Sequence, residues 1–585
     1  MGSINRDGAG NQSRFRRYIK KFEVAQSKNG TYANDQYTNP DLVPMDKTRR
    51  TWGWQAYVTY WMTSGFAIYN YSTGSALIGF GLSGPQAIGA SIFSPVVLAF
   101  LCVLCGWVGC THHITYTAAS RMAWGMRGTY FAVAIRVMPG LIWDGIEAFW
   151  GGQAISTCIG TWSLTWANWH YPLADGTLEL RDLIGFFLYY IVFLVTMWFP
   201  PEKLYRPFLV SCIGFCITVF GLLIWSVHAA GGAGYYFSKD YTPDLTLGDS
   251  VPWAVVYGAT AVLGNMAVIT LGQSDWCRFS ATGARAPMLA QFFACPTFTF
   301  IICTLGIIIT SAASNVLGEA YWQPYLLLRE IQAHYNNSAR SRAAVFFASA
   351  TCAYAQVCVN IILNSVASAM DLTSYAPKWI NIRRGAYLIA AVGLAVNPWQ
   401  ITTTAATFIT VLNGFGIFYG PCSGILVADY WIVRKKLIKM DDLYRGNSDS
   451  IYWYYKGFNW RAFAAFCIAI APAMPGYIMG ASNIGGGLNA WIKLSRLGFL
   501  TGFFISVLMY WLMNLVSPPP GLGEGTNHHD EDTLVLPSGY RQDRPSQGKY
   551  SIIIDGEDVA EDVAVSSDVF ASEKGAEANM KAYAV

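Results

Sequence analysis

SIFSPVVLAFLCVLCGWVG, residues 91–109, has no charged side chain in nineteen positions. At about 1.5 Å of rise per residue, such a helix crosses most of the ~30 Å hydrocarbon core of a bilayer. LIGFFLYYIVFLVTMWF at 183–199 reads the same way. Working outward, apolar segments fall at about 55–82, 86–110, 128–164, 183–200, 205–228, 252–272, 287–312, 343–371, 384–396, 400–428, 461–480 and 494–516, twelve in all. The composition agrees: the 585 residues are 53% hydrophobic, 15% aromatic and 13% charged, against roughly 25% charged in an average soluble domain. The expected fold is an all-α membrane protein of about twelve transmembrane helices spanning residues 51–516.

Residues 1–50 carry ten Lys or Arg against five Asp or Glu with no apolar periodicity, and read as a solvated basic arm. The start of the chain lacks the charged, apolar and small-residue order of a cleavable signal, so insertion is expected to rely on the first membrane helix. Arg121, Arg127, Lys203, Arg206, Arg278, Arg285, Lys378, Arg383, Arg384 and RKKLIK at 434–439 fall in loops on the N-terminal side. The opposite loops hold fewer, chiefly Arg181, Lys239, Arg329, Arg340, Arg342, Lys493 and Arg496. The positive-inside rule then puts both termini in the cytoplasm of a multi-pass, plasma-membrane protein. Residues 517–585 have thirteen acidic against five basic residues, and read as a disordered acidic cytoplasmic tail. Lys574 and Lys581 there are candidate acceptors for ubiquitin ligase machinery. Asn336-Asn337-Ser338 is a frequent chance sequon in an outward loop.

All thirteen cysteines lie between Cys102 and Cys467, mostly inside apolar segments, which is neither a disulfide framework nor a zinc spacing. Cys102 and Cys105 form a CxxC on an apolar helix, where packing is the reading. No phosphate loop, nucleophile elbow or metal motif occurs at its required spacing, so an enzyme, a cofactor, a metal and a nucleic-acid partner are not expected. His112 and His113 are placed at a solvated interface, and Arg136 near a helix end where it can snorkel.

A charge within a span costs at least ~2.5–3.5 kcal/mol on insertion scales, so it needs a partner or a function. The third segment has Asp144 and Glu147 near its middle. Glu147 is one turn from Trp143, so the two share a face. An aromatic plate beside a carboxylate suits a flat polar heterocycle, neutral or cationic. Asp144 points roughly 100° away. In the eighth segment Gln356, Asn360 and Asn364 recur every four residues as a polar stripe; buried amides need partners, either a neighbouring helix or a cavity. The first segment is interrupted at Ser64-Gly65 and by a polar run from Tyr69 through Asn70 to Gly74. The sixth has Gly258, Gly264-Asn265 and Gly272-Gln273. Broken helices five apart are what an inverted repeat places around a central site, whereas Gly and Ser alone can simply allow close packing.

The residues then resemble a known family. Asn39-Pro40-Asp41-Leu42-Val43-Pro44 precedes the first helix, Trp143 and Glu147 sit in the third, and Ser274-Asp275-Trp276-Cys277-Arg278-Phe279 follows the sixth. Asn360 to Asn364 with Ser365 lies in the eighth, followed by Lys378-Trp379-Ile380-Asn381-Ile382-Arg383-Arg384-Gly385, Asn397-Pro398-Trp399, and Gly420-Pro421 to Asp429-Tyr430-Trp431. Their order resembles the nucleobase–cation symporter-1 family, in its fungal branch of uracil, allantoin, uridine and thiamine permeases. The resemblance implies a leucine-transporter-like fold, a 5+5 inverted repeat at about 51–428 plus two helices at about 461–516. It implies a substrate site of Trp143, Glu147 and Asn364, with Asn360 and Asn265 nearby. The family's second aromatic, on helix six, is Met266 here. Bacterial relatives hold sodium between the broken first helix, here Ser64, Gly65 and Asn70, and hydroxyls on helix eight, here Cys358 and Val359. These offer no hard oxygen ligand. Proton symport is expected instead, with Glu147 and Asp144 as candidate proton carriers. The implied function is proton-coupled uptake of a nucleobase-related small molecule from the lipid bilayer's outer side. The alternatives are uptake of a cationic vitamin such as thiamine or nicotinamide riboside, and a non-transporting receptor of the same fold.

Overall fold

The computed structural model describes residues 23–24, 36–39, 41–199, 205–245, 250–482 and 488–527, with a hairpin at 551–554 and 557–560. Twelve helical segments follow one another in the order expected. Seven are individually long and apolar enough to span a bilayer: Gly84–His112, Arg206–Ala230, Val251–Cys277, Arg285–Leu317, Ala339–Leu372, Ala405–Val433 and Gly498–Val516. The pair Trp460–Ile470 and Met474–Ala481, bent by 48°, adds an eighth. The other four have local reasons to fall short. The first span is split, the third (Thr129–Trp162) carries Arg136, Asp144 and Glu147, and the fourth and ninth (Leu180–Thr196, Ile382–Gly393) are short. Ile191, Val195, Ile217 and Ile224 present bare apolar side chains outward, as lipid-facing positions do.

Because odd spans run one way and even spans the other, span 1 starts at the end where the N-terminal segment enters, here called proximal, and span 6 starts at the distal end. Spans 1–5 and 6–10 are therefore two five-helix sets of opposite orientation. Spans 11 and 12 pack beside span 10. Span 8 lies along spans 3 and 5, and span 7 along spans 1, 2 and 5.

Span 1 breaks as its sequence suggests, into Trp54–Gly65 and Ile68–Gly79, with Phe66 and Ala67 outside the helical ladder. Span 6 does not break at its centre. Its α-helix continues from Val251 through Gly258, Gly264 and Asn265 to Leu271, interrupted only at Gly272-Gln273. The glycines serve packing instead: a Cβ on Gly264 would overlap the Leu412 carbonyl oxygen of span 10, and one on Gly258 would press on Leu77. Gly264→Ala is accordingly expected to cost about 1–3 kcal/mol through overpacking. Thermal unfolding of the detergent-solubilised protein would show this as a lower midpoint, while an unchanged midpoint would contradict the contact.

Two terminal expectations need correction. The basic arm is not wholly solvated, because Tyr37, Thr38, Asn39, Leu42, Val43 and Met45 are buried. The Asn39 side chain accepts from the amides of Asp41 and Leu42, and Arg278 donates to the Asp41 carbonyl at 2.7 Å. At the other terminus residues 517–527 are ordered: Ile438 and Thr526 form a β-bridge, and Lys439 pairs with Glu524 at 2.9 Å. In the separate unit 530–585, Ser551–Ile554 pairs antiparallel with Glu557–Ala560. Lys574 and Lys581 lie outside the described residues. All thirteen cysteines are free thiols.

Candidate functional site

Spans 3 and 8 carry most of the expected site, and their polar side chains have two distinct uses. Trp143, Glu147 and Asn364 are all buried. The indole of Trp143 has three aromatic neighbours, edge-on to Tyr69 and Phe408 at 6.0 Å and to Trp150 at 6.3 Å. Glu147 Oε2 is buried without a hydrogen-bond partner among the described residues. A buried carboxylate oxygen left so is costly, which points to a ligand N–H or a proton as its missing partner.

The stripe on span 8 is not straight. Its α-helix ends at Asn360, and residues 361–366 take π-helical spacing, the irregularity often found at functional positions. The turn rotates Asn364, whose amide donates to Asn360 Oδ1 at 2.8 Å. Asn360 and Gln356 are joints between helices rather than cavity walls. Asn360 Nδ2 donates to the Asp144 carbonyl at 3.1 Å, and Gln356 Nε2 donates to the Glu147 carbonyl at 3.4 Å. Asp144 accepts from Ser365 Oγ at 2.7 Å and stands against Gly393 of span 9, turned away from Trp143 as the helical angle predicts.

The break in span 1 is closed by amides. Asn70 Nδ2 donates to both freed carbonyls, Ser64 at 3.1 Å and Gly65 at 3.0 Å, and Tyr69 Oη donates to Ser64 at 2.6 Å. Asn265 on span 6 donates to Asn70 Oδ1 at 3.3 Å and Thr73 Oγ1 at 3.0 Å. Ser64, Gly65, Asn70 and Asn265 are thus brought together, as a structural knot. Cys358 is elsewhere, its thiol meeting Ser211 and Tyr354 on the side of span 5. Met266 stands on span 6 where the second ring face was expected. Its sulfur accepts from Thr299 Oγ1 of span 7 at 3.5 Å, and the side chain is fully buried. Tyr69 and Phe408 are the aromatic neighbours that Trp143 actually has; a Tyr inside a polar run next to a helix break was the signal for the first.

Towards the distal end the site is sealed by rings. Trp322 stacks on Phe408 at 5.2 Å, and Trp150 meets Phe408 at 5.6 Å and Tyr325 at 6.2 Å. The helix Pro324–His334, between spans 7 and 8, lies over this plug and is clamped to spans 3 and 4. Arg329 binds both oxygens of Asp182, and its Nε donates to Thr157 Oγ1 at 2.8 Å. Towards the proximal end, Arg136 does not snorkel. It is 4% exposed and lies between Asp275 at 2.6 Å and Asp371 at 2.8 Å, over the ring of Tyr116. Gly272 leaves the space its guanidinium occupies. His112 is likewise buried, edge-on to Tyr430, rather than solvated.

Beside this cluster a cavity of about 760 Å³ lies among the proximal half of span 1, the start of span 5 and spans 8 and 9, and reaches inward to Ser64. A buried ring-and-carboxylate site closed by rings on its distal side, with a cavity reaching Ser64 from the proximal side, within two oppositely oriented five-helix sets, is the architecture of a membrane carrier. The comparisons place it further. A family model for permeases for cytosine/purines, uracil, thiamine and allantoin matches residues 44–509, and the chain belongs to that family. It is 30% identical over 494 residues to the uracil permease of Saccharomyces cerevisiae, covering 83% of this chain and 76% of that one. It is 29% identical over 490 residues to the uridine permease of the same yeast, covering 83% and 75%. In fold it matches Mhp1, a nucleobase–cation-symport-1 family transporter solved closed with bromovinylhydantoin bound, at TM-score 0.65 and 19% identity over 83% of this chain and 97% of that one.

Proposed function

We propose that the protein is a secondary active permease that takes up a nucleobase-related solute of the uracil, allantoin or uridine type together with a proton. The observation that carries this reading is the unpartnered Glu147 carboxylate oxygen one turn from the Trp143 indole, in a chain whose relatives carry such solutes. The ring of the solute lies against Trp143 with Tyr69 at its edge, Glu147 accepts a ring N–H, and Asn364 holds a carbonyl or second N–H. A cation such as thiamine would use the same carboxylate as its counter-charge, and Glu147→Gln separates the two. Uptake of a cation should fall further than uptake of a neutral base.

The occupied carbonyls of the span 1 break support proton rather than sodium coupling. A sodium ion there would have to displace the Asn70 amide. Replacing sodium with choline should leave uptake within about twofold, whereas a protonophore should abolish accumulation. The reverse pattern would overturn the coupling assignment. The proximal end, with Arg121, Arg127, Arg278, Lys378, Arg383, Arg384 and residues 434–439, is assigned to the cytoplasm of a plasma-membrane carrier. The cavity is then the inward vestibule. A competition assay across uracil, uridine, allantoin and thiamine tests the substrate directly.

A further inference from the structure

The vestibule has two unlike walls. One is span 8, where Val359, Ile362, Val366 and Met370 give an apolar surface. Facing it is the proximal half of span 1, which lines the cavity with Gln55, Thr59 and Thr63, spaced by four residues and so aligned on one helix face, with Thr51 just ahead of the helix. Exposure falls along this row towards the break: Thr51 and Gln55 are exposed, Thr59 and Thr63 half-buried, and the adjoining Ser64 buried. The hydroxyl protons are already committed. Thr59 Oγ1 donates to the Gln55 carbonyl and Thr63 Oγ1 to the Thr59 carbonyl, each at 3.0 Å. What these threonines have left for the cavity is therefore acceptor lone pairs.

A donor stands beside them. Tyr60 lines the same cavity, is only 8% exposed, and its hydroxyl has no hydrogen-bond partner among the described residues. A buried phenol in this state wants an acceptor. Acceptors at Thr59 and Thr63 with a donor at Tyr60 complement a contiguous N–H and C=O edge, while the apolar span 8 wall suits the flat face of a ring.

We propose that Thr59, Thr63 and Tyr60 form a release subsite in the inward vestibule that takes the lactam or ureide edge of the departing solute. This rests on the transport reading above and narrows it to solutes bearing such an edge. Thiamine carries no lactam or ureide carbonyl, its aminopyrimidine presenting an amine N–H beside a ring nitrogen instead.

The test uses the full-length protein and radiolabelled uracil, allantoin and thiamine, with initial rates normalised to protein at the cell surface. If the wild type accumulates none of these, the transport reading fails, and the subsite falls with it. Given transport of uracil or allantoin, Thr59→Val with Thr63→Val, which keeps the branched shape and removes both oxygens, should lower the maximal rate about tenfold. Tyr60→Phe should do the same. A late step made slower lowers maximal rate and KM together, so their ratio should stay within about twofold, which a primary-site residue would not allow. Thr59→Ser with Thr63→Ser keeps the hydroxyls and should restore the rate, which guards against misfolding as the cause. The subsite is refuted by a maximal rate within twofold of wild type in the Val double variant. It is also refuted by a ratio that falls in step with the rate, or by thiamine as the only solute carried.

Discussion

Trp143→Ala is expected to reduce the ratio of maximal uptake rate to KM by at least about 100-fold, equivalent to some 2.7 kcal/mol of lost contact with the solute. The indole shares a helix face with Glu147, and its own neighbours Tyr69, Phe408 and Trp150 meet it edge-on. None of them is oriented to replace its face. Removing a buried tryptophan also leaves a void costing about 3–5 kcal/mol, so the readout must be normalised to folded protein at the surface. Trp143→Phe keeps a smaller plate and should retain at least about a tenth of wild-type activity, since it preserves an aromatic face for stacking. If the alanine variant stays within fivefold of wild type while correctly inserted, Trp143 is not the stacking residue.

The second large effect is expected at the proximal cluster. Arg136→Met leaves Asp275 and Asp371 buried and facing one another without their shared cation. Breaking a buried pair from one side costs about 3–5 kcal/mol. Because Arg136 joins span 3 to the end of span 8 and the segment after span 6, the loss falls on the packing of both five-helix sets. The thermal midpoint in detergent should drop by about 3–5 °C. Asp275→Asn and Asp371→Asn added to Arg136→Met remove the uncompensated charges and should recover at least half of the drop. A triple variant no better than the single one would mean that the cluster holds by shape rather than by charge.

Much of the architecture was legible because a bilayer forces long apolar helices. All twelve segments lie close to where the hydropathy puts them. The span 1 break was legible too, since Ser64-Gly65 sits beside a polar run that a continuous lipid-facing helix would not carry. Span 6 shows the limit of that signal: Gly264 looks the same in sequence whether it ends a helix or admits a neighbour's backbone, and only the Leu412 carbonyl against it decides. The polar stripe of span 8 had the same ambiguity. Four-residue spacing predicts a common face, but span 3 carbonyls already occupy Gln356 and Asn360, and Asn364, at the π-helical turn of 361–366, reaches back to Asn360. Arg136 was misread because its partners, Asp275 and Asp371, are 139 and 235 residues away. Nothing local announces such a contact. The arm at 36–50 was misread because its few apolar residues have no period of their own and gain burial only from the loops that receive them.

The central claim is that a solute held by Trp143 and Glu147 is carried across the bilayer by a proton gradient. It is tested most directly by purifying the protein into liposomes and imposing an alkaline interior in sodium-free buffer. Labelled uracil or allantoin should accumulate above its external concentration, and Glu147→Ala and Trp143→Ala should both abolish this. Equilibration without accumulation, or accumulation that survives both substitutions, would contradict the account.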